Sequence, residues 1–287
     1  MRRISLHGGH SGQFCDHARD TLAEIVAAYH AARFECVGLT EHMPPLSDEW
    51  LYPDEVELGR TAVWMQERFA RYVAEARRLE REYAGRMRIL VGMESEWYPG
   101  CGEWVAELRE RFALDYVVGS VHHVGGDCFD FSQEAYARVA LESGGLVPLY
   151  AAYFDTQYGM LQSLRPEVVG HFDLVRLHDA NYADTLAFHE IQRRIARNLK
   201  CMQNSGAILD INARALFKGQ PEPFVCGSIL SVASALGIGC VYGDDAHGVG
   251  DVGFAYRRIE DMLVRADVKG VRCGTILAAR VFSRPST

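Results

Sequence analysis

Several features that would assign a chain quickly are missing here. None of the eight cysteines (15, 36, 101, 128, 201, 226, 240 and 273) forms a CxxC pair, so paired-cysteine metal and redox motifs are excluded. Cys36 in FECVGLT and Cys240 in GIGCVYG lie in apolar runs and read as small buried hydrophobes. No apolar run is long enough to span a bilayer. Arg2 and Arg3 lead straight into His and Gly residues rather than an apolar segment, so no signal peptide is expected. A reducing, cytoplasmic compartment without disulfides follows as the expectation. There is no basic excess: the net charge is -8, which speaks against a nucleic-acid partner held through phosphates. No low-complexity tract or Pro/Gly/Ser linker divides the chain, and one domain over 1–287 is expected. GxGxxG after the first strand, the GxSxG elbow and the P-loop are all absent.

What is present is an alternation. Short β-rich runs read as strands at RISLH (3–7), ECVGLT (35–40), MRILVGME (87–94), DYVVGSV (115–121), EVVGH (167–171), AILDIN (207–212) and IGCVYG (238–243). Helical patterns fall between them at 21–33, 57–83, 133–163 (broken near Pro148), 184–204, 223–236 and 254–266. VRCGTILAARVF, near the end, suits either element. Near-continuous apolar strands alternating with helices indicate parallel β-structure covered on both faces. Seven such units predict a (β/α)7 barrel, with an open doubly wound sheet as the alternative.

The ionisable residues mark the same end of every unit. His7 ends the first strand, Glu41-His42 the second, and Glu94 and Glu96 the third. His122 follows the fourth, His171 ends the fifth, Asn212 the sixth, and Asp245 and His247 follow the seventh. Parallel barrels build their active sites at this end. Of 11 histidines, seven (7, 10, 17, 42, 122, 171 and 247) lie at or just beyond predicted strand ends. Seven imidazoles with Glu94 and Asp245 are too many for one ion, and suit two or three divalent ions sharing a carboxylate. Mixed imidazole and carboxylate donors suit Zn, Mn or Fe. Clustered ions of this kind favour phosphate-ester hydrolysis, in which charge builds on oxygens that cations neutralise.

Taken together, HGGHSGQFCDHA, GLTEHMP, GMESEWYPG, GSVHH, GHFDL and GDDAH resemble the PHP (polymerase and histidinol phosphatase) superfamily, and within it the histidinol-phosphate phosphatases of the PHP type. The resemblance runs from about residue 4 to residue 255. It implies a distorted (β/α)7 barrel with a trinuclear metal centre. In the ligand grouping it implies, His7, His10, Glu94 and Asp245 gather at one ion, Glu94, His122 and His171 at a second, and His17, His42 and His247 at a third. Glu94, Asp245 and His247 are the implied catalytic residues. Hydroxide formed at the ions would attack phosphorus, and Asp245 or a neighbouring histidine would assist protonation of the leaving alkoxide. The implied substrate is L-histidinol phosphate, in histidine biosynthesis. The alternatives are another small phosphate monoester, such as a nucleotide or sugar phosphate, or a non-catalytic metal-binding module.

Two departures from the family pattern stand out. HGGH replaces HxH, so the backbone must bulge between the imidazoles; glycines permit this. In DINARALFKG, Phe217 stands where the family often has Arg. Phosphate capture then falls to Lys218, Arg214 or Arg176. Glu41, Glu96 and Asp244 each neighbour a candidate ligand and suit either ligation or the orienting of histidines, and Asp173 likewise suits an orienting role. The segment 43–60 suits a lid, with Trp50, Tyr52 and Trp64 near the mouth.

Overall fold

A computed structural model describes residues 3–265. The strands are β1 (Arg3–Ser5), β2 (Phe34–Leu39), β3 (Arg88–Val91), β4 (Met93–Ser95), β5 (Val117–Gly119), the hairpin pair β6 (His123–Val124) and β7 (Asp127–Cys128), β8 (Val168–Val169), β9 (Ile208–Asn212) and β10 (Cys240–Gly243). All seven expected strands are present. Apart from the antiparallel hairpin, pairing is parallel throughout, in the orders β1-β2-β3 and β10-β9-β8-β5-β4.

The two parallel sheets are arcs of one ring. β3 and β4 are one strand interrupted at Gly92, whose N–H bonds to the Leu39 carbonyl at 2.8 Å. At the other seam Leu6 N–H bonds to the Tyr242 carbonyl (3.2 Å) and Asp245 N–H to the His7 carbonyl (2.9 Å). Backbone hydrogen bonds therefore pass from β10 back to β1, and β3 with β4 counts as one of seven strand positions. This is the expected distorted (β/α)7 arrangement.

Side-chain alternation splits the apolar residues into two clusters. Leu6, Cys36, Leu90, Tyr116, Val118, Val168, Ile208 and Val241 face into the ring and pack on one another. The opposite faces of the strands pack against the helices. The helix Leu22–Ala31 illustrates how these attach: Leu22, Ile25, Val26 and Tyr29 form its buried stripe, and Thr21 and Glu24 make a capping box at its start. The long helix Ala62–Glu82 buries Phe69, Tyr72, Val73 and Ala76. Its Tyr72 hydroxyl donates to the carbonyls of Leu39 (2.6 Å) and Gly92 (2.8 Å), just below two site-bearing strand ends.

Some helix boundaries differ from expectation. The 57–83 pattern is two helices, Pro53–Glu57 and Ala62–Glu82. The break in 133–163 falls at Gly144-Gly145 rather than at Pro148, which sits in the first turn of Leu146–Leu164; there proline's missing N–H has no intrahelical partner to lose. The 184–204 stretch divides at Phe188 into Tyr182–Ala187 and His189–Ser205. Residues 223–226 precede the helix Gly227–Ala235, and Phe224 bridges to Asn212. VRCGTILAARVF lies outside the described residues.

The inner packing is tight at Gly38, where a Cβ would meet the Tyr116 hydroxyl oxygen at 1.7 Å. That hydroxyl spans the ring interior to donate to the Leu6 carbonyl at 2.7 Å. Gly38→Ala is expected to displace it and to cost about 1–3 kcal/mol, the usual range for overpacking. Leu141→Ala, at a side chain 81% exposed, is expected to stay within about 0.5 kcal/mol. Urea unfolding of the two variants compares these values. Equal stability would mean that the ring interior is not packed this way.

Candidate metal centre

The buried polar residues collect where the strands end. His7, His10, Glu41, Glu94, Ser95, Glu96, Ser120, His122, His171, Asp210, Asn212, Asp244, Asp245 and His247 are all buried there. At the centre is Glu94, 1% exposed. Its Oε1 lies 2.9 Å from His171 Nε2, 3.3 Å from His122 Nε2 and 3.3 Å from His7 Nε2. Its Oε2 faces the other way, 3.1 Å from His42 Nδ1 and 3.9 Å from His10 Nε2. Ser120 donates its hydroxyl to Oε1 at 2.7 Å. One carboxylate thus touches five imidazoles with its two oxygens.

The HGGH turn brings both of its rings to this point. His7 Nε2 and His10 Nε2 lie 3.9 and 3.4 Å from the same oxygen, Asp245 Oδ1. Gly9 adopts φ +80°, and a Cβ on Gly8 would approach Asp244 Oδ1 at 2.5 Å, so both positions require glycine. The bulge stays paired on both sides: Gly8 bonds to Thr40, and His10 N–H to the Ala246 carbonyl. Asp245 itself sits at φ +50°, in the left-handed region where Asp is among the few tolerated residues.

A second ring of carboxylates sets the orientation of the imidazoles. Asp210 Oδ2 lies 2.7 Å from His7 Nδ1, Glu41 Oε1 3.1 Å from His10 Nδ1, and Asp130 Oδ2 3.0 Å from His122 Nδ1. His247 Nδ1 is 2.8 Å from the Asp245 carbonyl. With Nδ1 engaged, each of these rings turns Nε2 to the centre, the arrangement seen around metal-ligating histidines. The expectation for Glu41 holds. Glu96 takes the Tyr52 hydroxyl at 2.7 Å and lies 3.5 Å from His123, a ring that no sequence pattern singled out.

Asp210 and Asp130 went unremarked in the sequence as orienting groups. Asp210 is two residues before Asn212 on one strand, so alternation gives both the same inward face. Asp130 opens DFSQEAY, just after the β6–β7 hairpin.

Asp244 and Asp173 do not orient histidines. Asp244 accepts from Tyr29, Ser5 and the Gly253 N–H, and fastens the end of β10 to β1 and the first helix. Asp173 holds Arg176 and the Cys226 N–H.

Electrostatics and unpaired donors point the same way. Burial alone would raise the Glu94 carboxyl; the His7, His122, His171 and His42 imidazoles override it and hold Glu94 well below the usual carboxylate range. Burial likewise opposes charge on His7, but Glu94, Asp210 and Asp245 win and raise its pKa well above the ordinary value. Asp245 is held well below the carboxylate range, with burial overridden by His7, His10 and His247. This acidic cluster demands positive charge, and protons supply it where cations fit. His7 Nε2, His10 Nε2, both His42 nitrogens and His171 Nδ1 are buried without a hydrogen-bond partner, a costly state that a metal ion relieves. Four overlapping donor groups follow from proximity: His7, His10 and Asp245; His7, Glu94 and His171; His10, Glu41 and His42; and His17, His42 and His247 with Cys15. The donor set fits several divalent ions. His17 is the exposed member, its side chain 46% accessible. Burial would lower the His17 imidazole, but Asp54 and Cys15 raise it to about 9.

The centre opens into a cleft of about 230 Å³ whose walls include Tyr52, Asp130, Phe131, Arg214 and Lys218. The expectation that Arg176 takes phosphate does not fit its position. It is fully buried, bonded to Asp173 and to the carbonyls of Glu222 and Pro223, and is not on the cleft wall. It ties the loop after β8 to the loop before Gly227. Arg214 and Lys218 do reach the cleft. Phe217 is turned away, 44% exposed and packed on Phe254, with the Arg214 guanidinium 4.8 Å from its ring. In the 43–60 segment Trp50 stacks on Tyr98 at 4.2 Å and Tyr52 reaches the cleft. Trp64 instead packs under Arg60.

A family model described as the PHP domain matches residues 7–214. The Schizosaccharomyces pombe protein named "Probable histidinol-phosphatase" is 35% identical over 270 residues, covering 92% of this chain and 87% of its own. The Saccharomyces cerevisiae histidinol-phosphatase is 30% identical over 295 residues, covering 90% and 87%. The crystal structure of histidinol phosphate phosphatase from Lactococcus lactis, complexed with zinc, L-histidinol and phosphate, superposes with a TM-score of 0.70 at 19% identity, covering 93% of this chain and 94% of its own.

If Asp210 fixes the His7 ring for a metal, Asp210→Asn should weaken zinc binding about 10–100-fold, the usual effect of losing such a partner. Zinc titration against a competing chelator, with circular dichroism to verify the fold, measures this. An unchanged affinity in a folded variant would remove Asp210 from the centre.

Proposed function

The chain belongs to the PHP domain family, and from that premise we propose that it is a metal-dependent phosphomonoesterase hydrolysing L-histidinol phosphate to L-histidinol and phosphate, a step of histidine biosynthesis. One observation carries the reading: a buried carboxylate ringed by five imidazoles lies at the floor of a cleft that also holds Arg214 and Lys218. The names of the yeast relatives support the substrate, and the zinc in the Lactococcus lactis complex supports zinc among Zn, Mn and Fe. The whole chain, 1–287, is taken as one catalytic domain of this type.

Two or three divalent ions are assigned to the donors as follows: His7, His10, Asp245 and Glu94 for the first, Glu94, His122 and His171 for the second, and His17, His42 and His247 for the third. Bound there, such ions lower the pKa of a water molecule and neutralise charge on phosphoryl oxygens. The rest falls to the chain's own groups. Glu94 holds the first two donor sets in register through its two oxygens. Lys218 takes the phosphate at the rim. Arg214, anchored to Asp251 at 3.1 Å, presents its guanidinium in one orientation toward the same group. Asp245, whose Oδ1 lies 3.9 Å from His7 and 3.4 Å from His10, or a neighbouring histidine assists protonation of the leaving oxygen. His247, tied to the Asp245 carbonyl, keeps that residue in place.

Phosphate release by the zinc- or manganese-loaded protein should be far faster from L-histidinol phosphate than from nucleotide, sugar or generic monoesters. A wide preference for a sugar or nucleotide phosphate would move the assignment to that substrate. Fewer than two tightly bound ions per chain would point to a non-catalytic module.

Glu94→Gln should abolish turnover and reduce bound metal; retained activity would sink the multinuclear mechanism. Lys218→Ala should raise KM about tenfold, equivalent to about 1.4 kcal/mol of binding, with kcat less affected.

A further inference from the structure

We propose that Cys15 is a metal ligand, its thiolate completing a four-donor set with His17, His42 and His247 around the third ion. The inference rests on the metal-centre reading above and extends it to a residue outside the expected nine ligands.

The argument starts from position. Cys15 is buried and carries a free thiol. Its Sγ and one nitrogen from each of His17, His42 and His247 all lie within 4.8 Å of one another. Tetrahedral zinc, with bonds of about 2.0–2.1 Å to nitrogen and 2.3 Å to sulfur, needs donors about 3.3–3.8 Å apart. Small side-chain rotations reach that spacing from the geometry observed. The rings are gathered already: His17 lies 5.2 Å from His42 and 5.1 Å from His247, centroid to centroid. His42 Nδ1 lies 3.1 Å from Glu94 Oε2, and its Nε2 is buried without a hydrogen-bond partner. Among the described residues no other cysteine joins such a group.

The local backbone explains the placement. Ser11 O accepts the N–H groups of Phe14 and Cys15, closing a tight turn immediately after His10. Ser11 N–H is itself held by Glu41 Oε2 at 3.2 Å. The turn carries the chain back over the centre, so that Cys15 approaches from inside and His17 from the solvent side.

Two consequences follow. Four protein donors close a tetrahedral shell, whereas catalytic zinc keeps a position open. With that shell filled by Cys15, His17, His42 and His247, an ion held there would tie the first loop to the loops after β2 and β10, and water activation would fall to the donors around Glu94. A thiolate is also a soft donor that favours zinc over manganese, so this position should keep zinc when the others exchange.

X-ray absorption at the zinc edge tests the ligand directly on the full-length, zinc-loaded protein. A sulfur scatterer at about 2.3 Å is expected in the unmodified chain and should be lost in Cys15→Ser. After dialysis against excess manganese, one zinc per chain should remain in the unmodified protein and none in the variant. Alkylation of the unmodified protein with mass-spectrometric readout is a second measure that does not depend on the folding of Cys15→Ser: Cys15 should be protected with zinc and exposed by chelation. Only nitrogen and oxygen scatterers in the unmodified chain, a sulfur path that survives Cys15→Ser, or alkylation indifferent to zinc would each overturn the proposal. A chain that binds no zinc at all would instead overturn the metal-centre reading on which it rests.

Discussion

The arrangement depends on keeping Glu94 ionised at 1% exposure. A bare carboxylate at that depth is prohibitively costly, and the cost is met only by surrounding it with positive or cation-binding groups. Five imidazoles do so, delivered by four separate segments: His7 and His10 around the bulge after β1, His42 after β2, His122 after β5 and His171 after β8. No short stretch of chain can place five rings around one carboxylate. A ring of parallel strands can, because every strand ends on the same side and its following loop turns inward over the same point.

The ring is divided along its axis. On one side the interior is filled by Leu6, Leu90, Tyr116, Val118, Val168, Ile208 and Val241. On the other it carries Asp210, Glu94, Asn212 and the histidines. The apolar plug makes the polar end shallow and rigid, and the polar end is in turn cross-linked by hydrogen bonds that join strands across the ring. Asp210 on β9 reaches His7 beyond β1, and Asn212 reaches Asp245 beyond β10 at 3.3 Å. Imidazole orientation is therefore tied to strand pairing.

Legibility in the sequence followed the range of the interaction. The nine candidate ligands stood out because they lie at or just beyond the ends of apolar runs, a local signal. Glu41 was visible as a neighbour of His42. Asp210 and Asp130 were not, because their partners are 203 and 8 residues away and nothing local distinguishes them from ordinary polar residues. Arg176 shows the reverse error: its place just after GHFDL suggests a phosphate ligand, yet its guanidinium is consumed by Asp173 and two carbonyls. The Pro148 break failed for a physical reason as well, since a proline in a first turn does not interrupt a helix.

By itself, the sequence determined the strand–helix alternation, the end of the strands that bears chemistry, the ligand types and the need for glycine between His7 and His10. These follow from periodicity, side-chain chemistry and backbone permissiveness, all of which act over a few residues. Tertiary structure alone decided that the seven strands share one hydrogen-bonded ring, and that both histidines of HGGH meet at the same aspartate oxygen. It also decided which cations face the cleft and that Cys15 joins His17, His42 and His247. Those outcomes depend on distances between segments remote in the chain, which only the closure of the ring sets.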